Sequence, residues 1–138
     1  MPCSSQNSGK KCVPLNCHQT LERYVDAQGR DAGAYDLEAN LTLLKLYQFN
    51  PTYFSLPTVA QILLKALTNL PHSDFMQCKS LLSQENLEQV VIVNIQYLSD
   101  LLEKCQFKAF WNKVRKLSFY SFAHPLAIFC YVFLYELQ

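Results

Sequence analysis

The stretch SLPTVAQILLKALTNL, residues 55 to 70, constrains the fold of this chain more than any other. Its apolar residues recur at helical spacing and form one continuous face of an α-helix. Those residues are Val59, Ile62, Leu63, Ala66, Leu67 and Leu70. Pro57 falls in the first turn, where its missing amide donor costs no hydrogen bond. Because so long an apolar face needs other elements to cover it, the stretch predicts a packed helix that ends at Asn69 and Pro71.

Five further segments carry the same spacing and predict an all-α domain. One begins near His18, the next runs from Tyr35 to Phe49, and the others begin at Ser73, near Glu85 and at Phe107. Ser73 is the expected N-cap of its helix. The connections between the segments are short, which favours antiparallel packing of consecutive helices.

Two of these helices carry more detailed expectations. In the helix from Tyr35 to Phe49, one stripe is expected to contain Leu37, Leu41, Leu44 and Gln48, and Leu43, Leu46 and Tyr47 are expected to widen it. The helix that begins near Glu85 includes the run from Val90 to Val93, whose β-branched residues are typical of strands. A helical spacing nevertheless continues across this segment, through Val91, Ile95, Leu98, Leu102 and Cys105. That spacing favours a helix.

An Asn50-Pro51 corner stops the second predicted helix and is followed at once by Tyr53 and Phe54. The proline ring disfavours helical geometry at the residue before it and supplies no amide hydrogen. Aromatic residues at the ends of helices usually belong to the core, but they also anchor protein interfaces. We therefore take Tyr53 and Phe54, together with Trp111 in the last predicted helix, as candidate interface residues.

The charge balance and the glycine content exclude two classes of binding site. Lys and Arg number 12 against 11 Asp and Glu, which gives a formal net charge of +1. So small a net charge provides no general field for phosphates, and no strong direct binding of nucleic acid is expected. With only 3 glycines in the chain, Gly-rich phosphate-binding loops are also excluded.

The six cysteines are expected to be reduced thiols without a metal. The N-terminal residues contain no apolar segment of the secretory kind, so no oxidising compartment is indicated. Cys78 and Cys105 fall among apolar neighbours in helical patterns, where a free cysteine behaves as a small hydrophobic residue. Cys12, Cys17 and His18 have a spacing that does not match a common zinc motif, so no metal site is expected.

No set of residues predicts catalysis or a cofactor site. His72, Asp74 and Cys78 could be assembled into a cysteine nucleophile with a base and an orienting acid. A capped helix with a buried cysteine one turn later explains the same three residues more simply. The acids Asp36, Glu38, Asp100 and Glu103 fall on helix faces opposite the apolar stripes. The chain is therefore expected not to be an enzyme and to bind no cofactor.

Several stretches resemble the k-subunit family of eukaryotic translation initiation factor three. They are TLERYV at 20–25, AYDLEANLTLLKLYQFNPTYF at 34–54, TVAQILLKALTNLPHSDFMQCK at 58–79 and IQYLSDLLEKCQFKAFW at 95–111. The resemblance covers about residues 20–111, and the phrases YDLEANL, LKLYQFNP and QILLKALTNLP are its most specific parts.

The resemblance implies a fold and a role that the residue pattern alone does not give. The family has a HEAT-like helical-repeat half followed by a winged-helix half, in an arrangement of the PCI type. The implied role is a non-catalytic scaffold in a complex that assembles on the small ribosomal subunit. The implied partners are the l subunit first and the e subunit second, and the implied location is the cytoplasm, with the nucleus as a second compartment.

Both ends of the sequence depart from the family pattern. We expect an irregular N-terminal arm at 1–17, a helical-repeat domain at 18–116 and a divergent apolar and aromatic segment at 117–138. Only the helical-repeat half has a counterpart here, so the winged-helix half is expected to be missing. An alternative transcript, or translation into unrelated sequence, would explain both departures.

The segment 117–135 leaves three alternatives open. It has 19 residues without a formal charge, preceded by Lys113, Arg115 and Lys116, which is long enough for a membrane anchor. The alternative function is accordingly a membrane-tethered helical protein. However, His124 and Pro125 interrupt the segment, and the 11 residues from Pro125 to Tyr135 are too few to cross a bilayer. Such a run is better suited to packing on the open end of the helical stack, or it forms an aggregation-prone patch, and a membrane contact is not the expectation.

Overall fold

The computed structural model describes residues 17–31, 33–69 and 72–118, and every regular element in these ranges is helical. The predicted all-α class is confirmed for this part of the chain. The elements are α1 (Cys17–Arg30), α2 (Leu37–Phe49), a 3-10 helix (Pro51–Tyr53), α3 (Leu56–Thr68), α4 (Asp74–Ser80), α5 (Gln84–Leu87), α6 (Val90–Glu103) and α7 (Phe107–Ser118).

The helix α3 lies at the centre of the core and packs against α1, α4 and α6. The predicted face is buried at each of its described positions, namely Val59, Ile62, Leu63, Ala66 and Leu67, while Leu70 lies outside the described residues. Ala60 and Leu64 are buried as well, so α3 is covered on more than one side. On α1, Gly29 allows a close approach, since a Cβ there would lie 1.8 Å from Nε2 of Gln61.

The boundaries of α2 follow from local hydrogen bonds at both ends. Asp36 is the N-cap, and its Oδ1 accepts a 3.0 Å hydrogen bond from the amide of Ala39. At the other end the amide of Asn50 donates to the carbonyl of Leu46 at 2.9 Å, after which Pro51 begins the 3-10 helix. The predicted Asn50-Pro51 corner is therefore confirmed, and Asp36 caps a helix instead of lying on a solvated helix face.

The buried face of α2 differs from the predicted stripe. Leu43, Leu44 and Tyr47 are buried as predicted, but Gln48 is exposed and Asn40 is buried. Burial of Asn40 is possible because Nε2 of Gln28 on α1 donates a 3.2 Å hydrogen bond to its Oδ1. A polar residue thus occupies the core side of α2, since its amide has a buried partner.

The segment between residues 73 and 103 contains three helices where the sequence predicts two. Ser73 precedes α4 as predicted, but its hydroxyl makes no capping hydrogen bond and instead accepts one from Nε2 of Gln77. A separate short helix, α5, is capped by Ser83, whose Oγ accepts from the amide of Asn86 at 3.4 Å. The run from Val90 to Val93 is helical, as predicted, and begins α6.

Cys105 lies beyond the end of α6 and is exposed, which corrects the expectation that it belongs to the helical pattern. Its φ of 55° is in the left-handed region. The amide of Cys105 donates to the carbonyl of Leu102 at 3.0 Å, and that of Gln106 donates to the carbonyl of Leu101 at 2.8 Å. This pair of bonds is the Schellman motif, in which glycine is usual at the left-handed position.

Buried polar groups connect α3 to the loop between α1 and α2. Lys65 is buried, and its Nζ donates to the carbonyl oxygens of Asp31 at 2.8 Å and Ala34 at 3.3 Å. Nearby, the amide of Asp36 donates to Oε1 of Gln28 at 3.1 Å. Among the described residues, no buried side-chain nitrogen or oxygen is left without a hydrogen-bond partner.

The part of the chain that is described contains no helix long and apolar enough to cross a membrane. The candidate membrane segment 117–135 falls outside the described residues except for its first two positions, which belong to the last turn of α7. The arm at 1–17 is described only at Cys17, and the C-terminal segment only at 117–118.

We expect Leu63→Ala to lower the free energy of unfolding by about 2–5 kcal/mol, because the side chain is fully buried on α3 and its loss leaves a cavity. Chemical denaturation followed by circular dichroism measures the change. The control is Met76→Ala, since Met76 on α4 is 56% exposed; its effect should stay within about 0.5 kcal/mol. Equal losses in the two variants would contradict the central position of α3.

We expect Cys105→Gly to raise the free energy of unfolding by about 0.5–1 kcal/mol, because glycine adopts the left-handed conformation without a clash of Cβ. The control is Cys105→Ala, which removes the thiol but keeps Cβ and should change little. The same denaturation measurement compares the two variants. If alanine stabilises as much as glycine, backbone strain at this position is not the cause.

Candidate functional site

The three residues that could form a cysteine-dependent site do not form one. His72 is exposed, whereas Asp74 and Cys78 are buried on α4. Oδ2 of Asp74 accepts hydrogen bonds from the hydroxyl of Tyr35 at 2.8 Å and from Nδ2 of Asn69 at 2.6 Å. The carboxylate thus joins α4 to the start of α2 and the end of α3, which is a structural role that the sequence did not reveal.

The thiol of Cys78 is in an environment that suppresses its ionisation. Burial raises the pKa of Cys78 from 9.0 to about 12, and the negative charge of Asp74 adds to the shift. Burial also raises the pKa of Tyr35, with further contributions from its hydrogen bond to Asp74. An activated cysteine requires the opposite shift, because the thiolate is the nucleophile.

The aromatic candidates Tyr53 and Phe54 lie together where α2 meets α3, beside α1. Tyr53 is 43% exposed, and its ring stacks on that of His18 with a centroid distance of 4.2 Å. Phe54 is half-buried and contacts Tyr47 edge to face, with ring centroids 5.8 Å apart. Tyr47 in turn donates a hydrogen bond to Glu22 of α1. We call these five residues the Tyr53 corner.

Within the Tyr53 corner, Phe54 packs against the core and Tyr53 is partly exposed. Beside Phe54, burial raises the pKa of the Tyr47 hydroxyl, and the hydrogen bond with Glu22 raises this pKa further. Tyr53 presents part of its ring to solvent while His18 fixes the other part. A rigid, partly exposed aromatic side chain is the type of residue that anchors protein interfaces.

Trp111 is placed apart from this corner, on α7, which packs against α6. Its side chain is half-buried and lies edge-on to Phe110, with ring centroids 5.3 Å apart. Phe110 is fully buried, so Trp111 packs at the margin of the core. The structure therefore brings Tyr53 and Phe54 together and leaves Trp111 on a different element.

An exposed apolar stripe on α6 was not predicted from the sequence. Val90 is 75% exposed, Val93 49% and Tyr97 48%, and these residues are spaced at i, i+3 and i+7 on one helix face. We call them the α6 stripe. Nζ of Lys113 on α7 lies 5.5 Å from the centroid of the Tyr97 ring, in cation–π geometry. The available sequence signal was a second apolar face, since Ile92, Ile95 and Leu98 already supply the buried one.

The described residues offer no arrangement of ligands for a metal ion, because no three His, Cys, Asp or Glu side chains among them come close enough together. Of the cysteine and histidine cluster considered in the sequence, Cys12 lies outside the described residues, while His18 stacks on Tyr53. The described surface does contain partly exposed aromatic and apolar side chains. Side chains of this kind contribute to protein interfaces in general.

The comparisons with known proteins agree with the resemblance seen in the sequence. Residues 53–126 match the model of the CSN8/PSMD8/EIF3K family. The chain is 61% identical over 93 residues to the Homo sapiens protein named eukaryotic translation initiation factor 3 subunit K, a match that covers 67% of this chain and 42% of the human protein. All three candidate interface residues lie within the family match, which also reaches past Trp111.

Two further relatives cover similar shares of this chain. The Danio rerio protein of the same name is 61% identical over 97 residues, which cover 70% of this chain and 44% of that protein. The Aedes aegypti protein is 52% identical over 98 residues, which cover 71% of this chain and 44% of that protein. The chain thus spans less than half the length of these relatives.

We expect Cys78 to be alkylated by a small maleimide at pH 8 roughly a hundredfold or more slowly than the exposed Cys105, because burial leaves little thiolate. Peptide mapping by mass spectrometry measures both sites in the same native sample. In denaturant the two rates should become similar. As the pH rises from 9 toward 12, the Cys78 thiol ionises in the unfolded chain but stays largely neutral in the folded protein, so the free energy of unfolding should fall across this range. Rapid native labelling of Cys78 would contradict the structure.

Proposed function

The chain belongs to the CSN8/PSMD8/EIF3K family, and on that premise we propose that it is a non-catalytic scaffold subunit of eukaryotic translation initiation factor 3. The observation that carries the proposal is the 61% identity to a human protein named as a subunit of that factor. The proposal that the subunit is non-catalytic is supported by Cys78, the candidate nucleophile in the sequence, because its thiol is buried and un-ionised.

The extent of the identity argues that a binding surface is retained along with the core. The identity of 61% over 93 residues amounts to more identical positions than there are buried residues in the described part of the chain. Many identical positions are therefore half-buried or exposed, where packing alone places few demands on residue type. Contact with partner proteins is a physical reason for retaining such positions.

We further propose that α1–α7 form the HEAT-like half of a PCI-type arrangement. In such a stack each helix pair covers its neighbours, and the extended surface binds partners through many modest contacts. The proposed partners are the l subunit first and the e subunit second, with the small ribosomal subunit reached through the complex. The net charge of +1 supports indirect attachment to the ribosome, since it gives no strong attraction to RNA.

The residues that we assign to partner contact are Tyr53 and Phe54 in the Tyr53 corner and, at a separate place on α7, Trp111. Tyr53 is the residue with the largest expected effect, because its stack on His18 presents a pre-ordered ring to solvent. Phe54 would support the Tyr53 corner from the margin of the core, and Trp111 would contribute its partly exposed side chain on α7. The proposed location is the cytoplasm, with the nucleus as a second compartment, as for other components of translation initiation.

We expect the full chain to be retained by tagged l subunit and, in excess, to displace human subunit K from it. The amount of each protein on the resin, measured by quantitative mass spectrometry, tests both statements. Human subunit K alone is the positive control for an active bait. If the human protein is retained and this chain neither binds nor competes, the proposed function is wrong.

A substitution locates the contact in the same assay. Tyr53→Ala should weaken retention by roughly tenfold to thirtyfold, the effect of losing an aromatic hot spot of about 2 kcal/mol. Met76→Ala removes an apolar side chain from α4 that is more exposed than Tyr53, and it should leave retention unchanged. Circular dichroism on both variants checks that the fold is kept. Equal retention of the two variants would remove Tyr53 from the interface.

A further inference from the structure

The α6 stripe is a row of three apolar side chains on the exposed side of α6. From Val90 to Tyr97 the row extends over about 10 Å, or two turns of helix. The opposite side of α6 is buried, and the helix packs against α3 and α7. Exposed apolar side chains that lie together and have polar residues along their edge are typical of interaction sites.

The edge of the stripe next to α7 is basic. Only residues 104–106 join α6 to α7, so the two helices run antiparallel. Nζ of Lys113 lies 5.5 Å from the centroid of the Tyr97 ring, which places an ammonium group at this edge. Lys116 is exposed and follows Lys113 by three residues, so it lies on the same face of α7, one turn further toward Val93. Two lysines thus line one edge of the apolar row.

The basic residues of α7 have no carboxylate partner in the described part of the chain. The helix has no acidic residue and four basic ones, namely Lys108, Lys113, Arg115 and Lys116. Among the described residues the only ion pair joins Arg30 to Asp26 on α1. The charges that border the stripe are therefore free to pair with carboxylates of another molecule.

Charge is also distributed unevenly along the chain. Residues 90–118, which form α6 and α7, contain five Lys or Arg and two Asp or Glu, whereas residues 17–89 contain five and eight. The two acids, Asp100 and Glu103, lie beyond Tyr97 toward the end of α6. The small net charge of the whole chain thus includes a basic region around the stripe, and this region attracts an acidic partner.

We propose that the α6 stripe and its two neighbouring lysines bind an amphipathic helix of a partner protein, one with apolar residues on one face and carboxylates along the edge that meets α7. The apolar residues of the partner cover Val90, Val93 and Tyr97, and its carboxylates pair with Lys113 and Lys116. Two or three turns of such a helix match the length of the row. This inference goes beyond the proposed function and does not depend on it, because the surface lies on different elements from the Tyr53 corner.

A nucleic acid fits this surface less well than a protein helix does. Single-stranded nucleic acids gain affinity from contacts to their phosphates and from stacking of their bases on aromatic rings. The stripe has a single aromatic ring, that of Tyr97, and Lys113 already lies over it. Val90 and Val93 offer a nucleotide neither a hydrogen bond nor a ring. An amphipathic helix supplies apolar side chains at the matching spacing.

Binding of two designed peptides to the full chain tests the proposal. Both have about 18 residues, long enough to form a helix, and both carry leucine at i, i+3 and i+7. The first has glutamate along one edge of the leucine row, and the second has lysine in place of each glutamate. Fluorescence anisotropy of the labelled peptides at low ionic strength measures their affinities. The glutamate peptide should bind at least about tenfold more tightly than the lysine peptide.

Substitutions in the chain identify the surface that binds. Val93→Ser removes an apolar side chain from the middle of the stripe and should weaken binding of the glutamate peptide roughly tenfold or more. The double variant with Lys113→Glu and Lys116→Glu should bind the lysine peptide more tightly than the glutamate peptide, a reversal that a general loss of structure does not produce. Met76→Ser on α4 is the control and should change neither affinity. Circular dichroism checks the fold of every variant.

Each result of these measurements decides the proposal. Tighter binding of the glutamate peptide supports it when Val93→Ser weakens this binding and the double lysine variant reverses the preference. If the preference for glutamate persists in the double variant, or Val93→Ser changes nothing, the assigned surface is wrong. If neither peptide binds, the stripe is covered by the chain itself or by a second copy. If a labelled oligouridine binds more tightly than the glutamate peptide, the partner is a nucleic acid. Either of these last two results also overturns the proposal.

Discussion

The fold depends on the burial of α3 on more than one side. Six consecutive residues, Ile62 to Leu67, are buried, which no single neighbouring helix could achieve. Helices must therefore lie on several flanks of α3, and α1, α4 and α6 occupy these positions. The short connections between elements then restrict which helix reaches which flank. Burial of apolar area is the dominant favourable contribution to such a core, and it acts without direction.

The relative orientation of the helices is set by a small number of buried polar contacts around α3. Lys65 donates to two loop carbonyls, Asp74 accepts from Tyr35 and Asn69, and Gln28 bonds to Asn40. All of these contacts except the one between Asn69 and Asp74 join residues at least 12 positions apart. A displaced helix would leave a buried polar group without a partner. Because that penalty exceeds the net gain of an ordinary hydrogen bond, these contacts select one packing among several that bury similar area.

Features that depend on a single helix face or on proline geometry could be predicted from the sequence. Burial of a polar residue could not be predicted where it depends on a partner from another element. The stripe of α3, the Asn50-Pro51 corner and the helical state of Val90 to Val93 follow from spacing and proline geometry, and the structure confirms them. Burial of Asn40 and Asp74 depends on Gln28 and Tyr35, which no local pattern connects to them. At Cys105, a Schellman motif formed where residue preference would call for glycine. The candidate Tyr53 was identified by its position at a helix end, whereas its partner His18 could be known only from the packing.

The position of a helix among its neighbours, and not its composition, decides whether an apolar residue is buried or exposed. Val59 on α3 and Val93 on α6 are the same residue type on helices of similar apolar content, yet the first is fully buried and the second is half exposed. The α3 helix packs against α1, α4 and α6, whereas Val90, Val93 and Tyr97 on α6 remain exposed. A helix with fewer neighbours therefore keeps apolar side chains exposed, and such side chains are the ones on which other segments or proteins can pack.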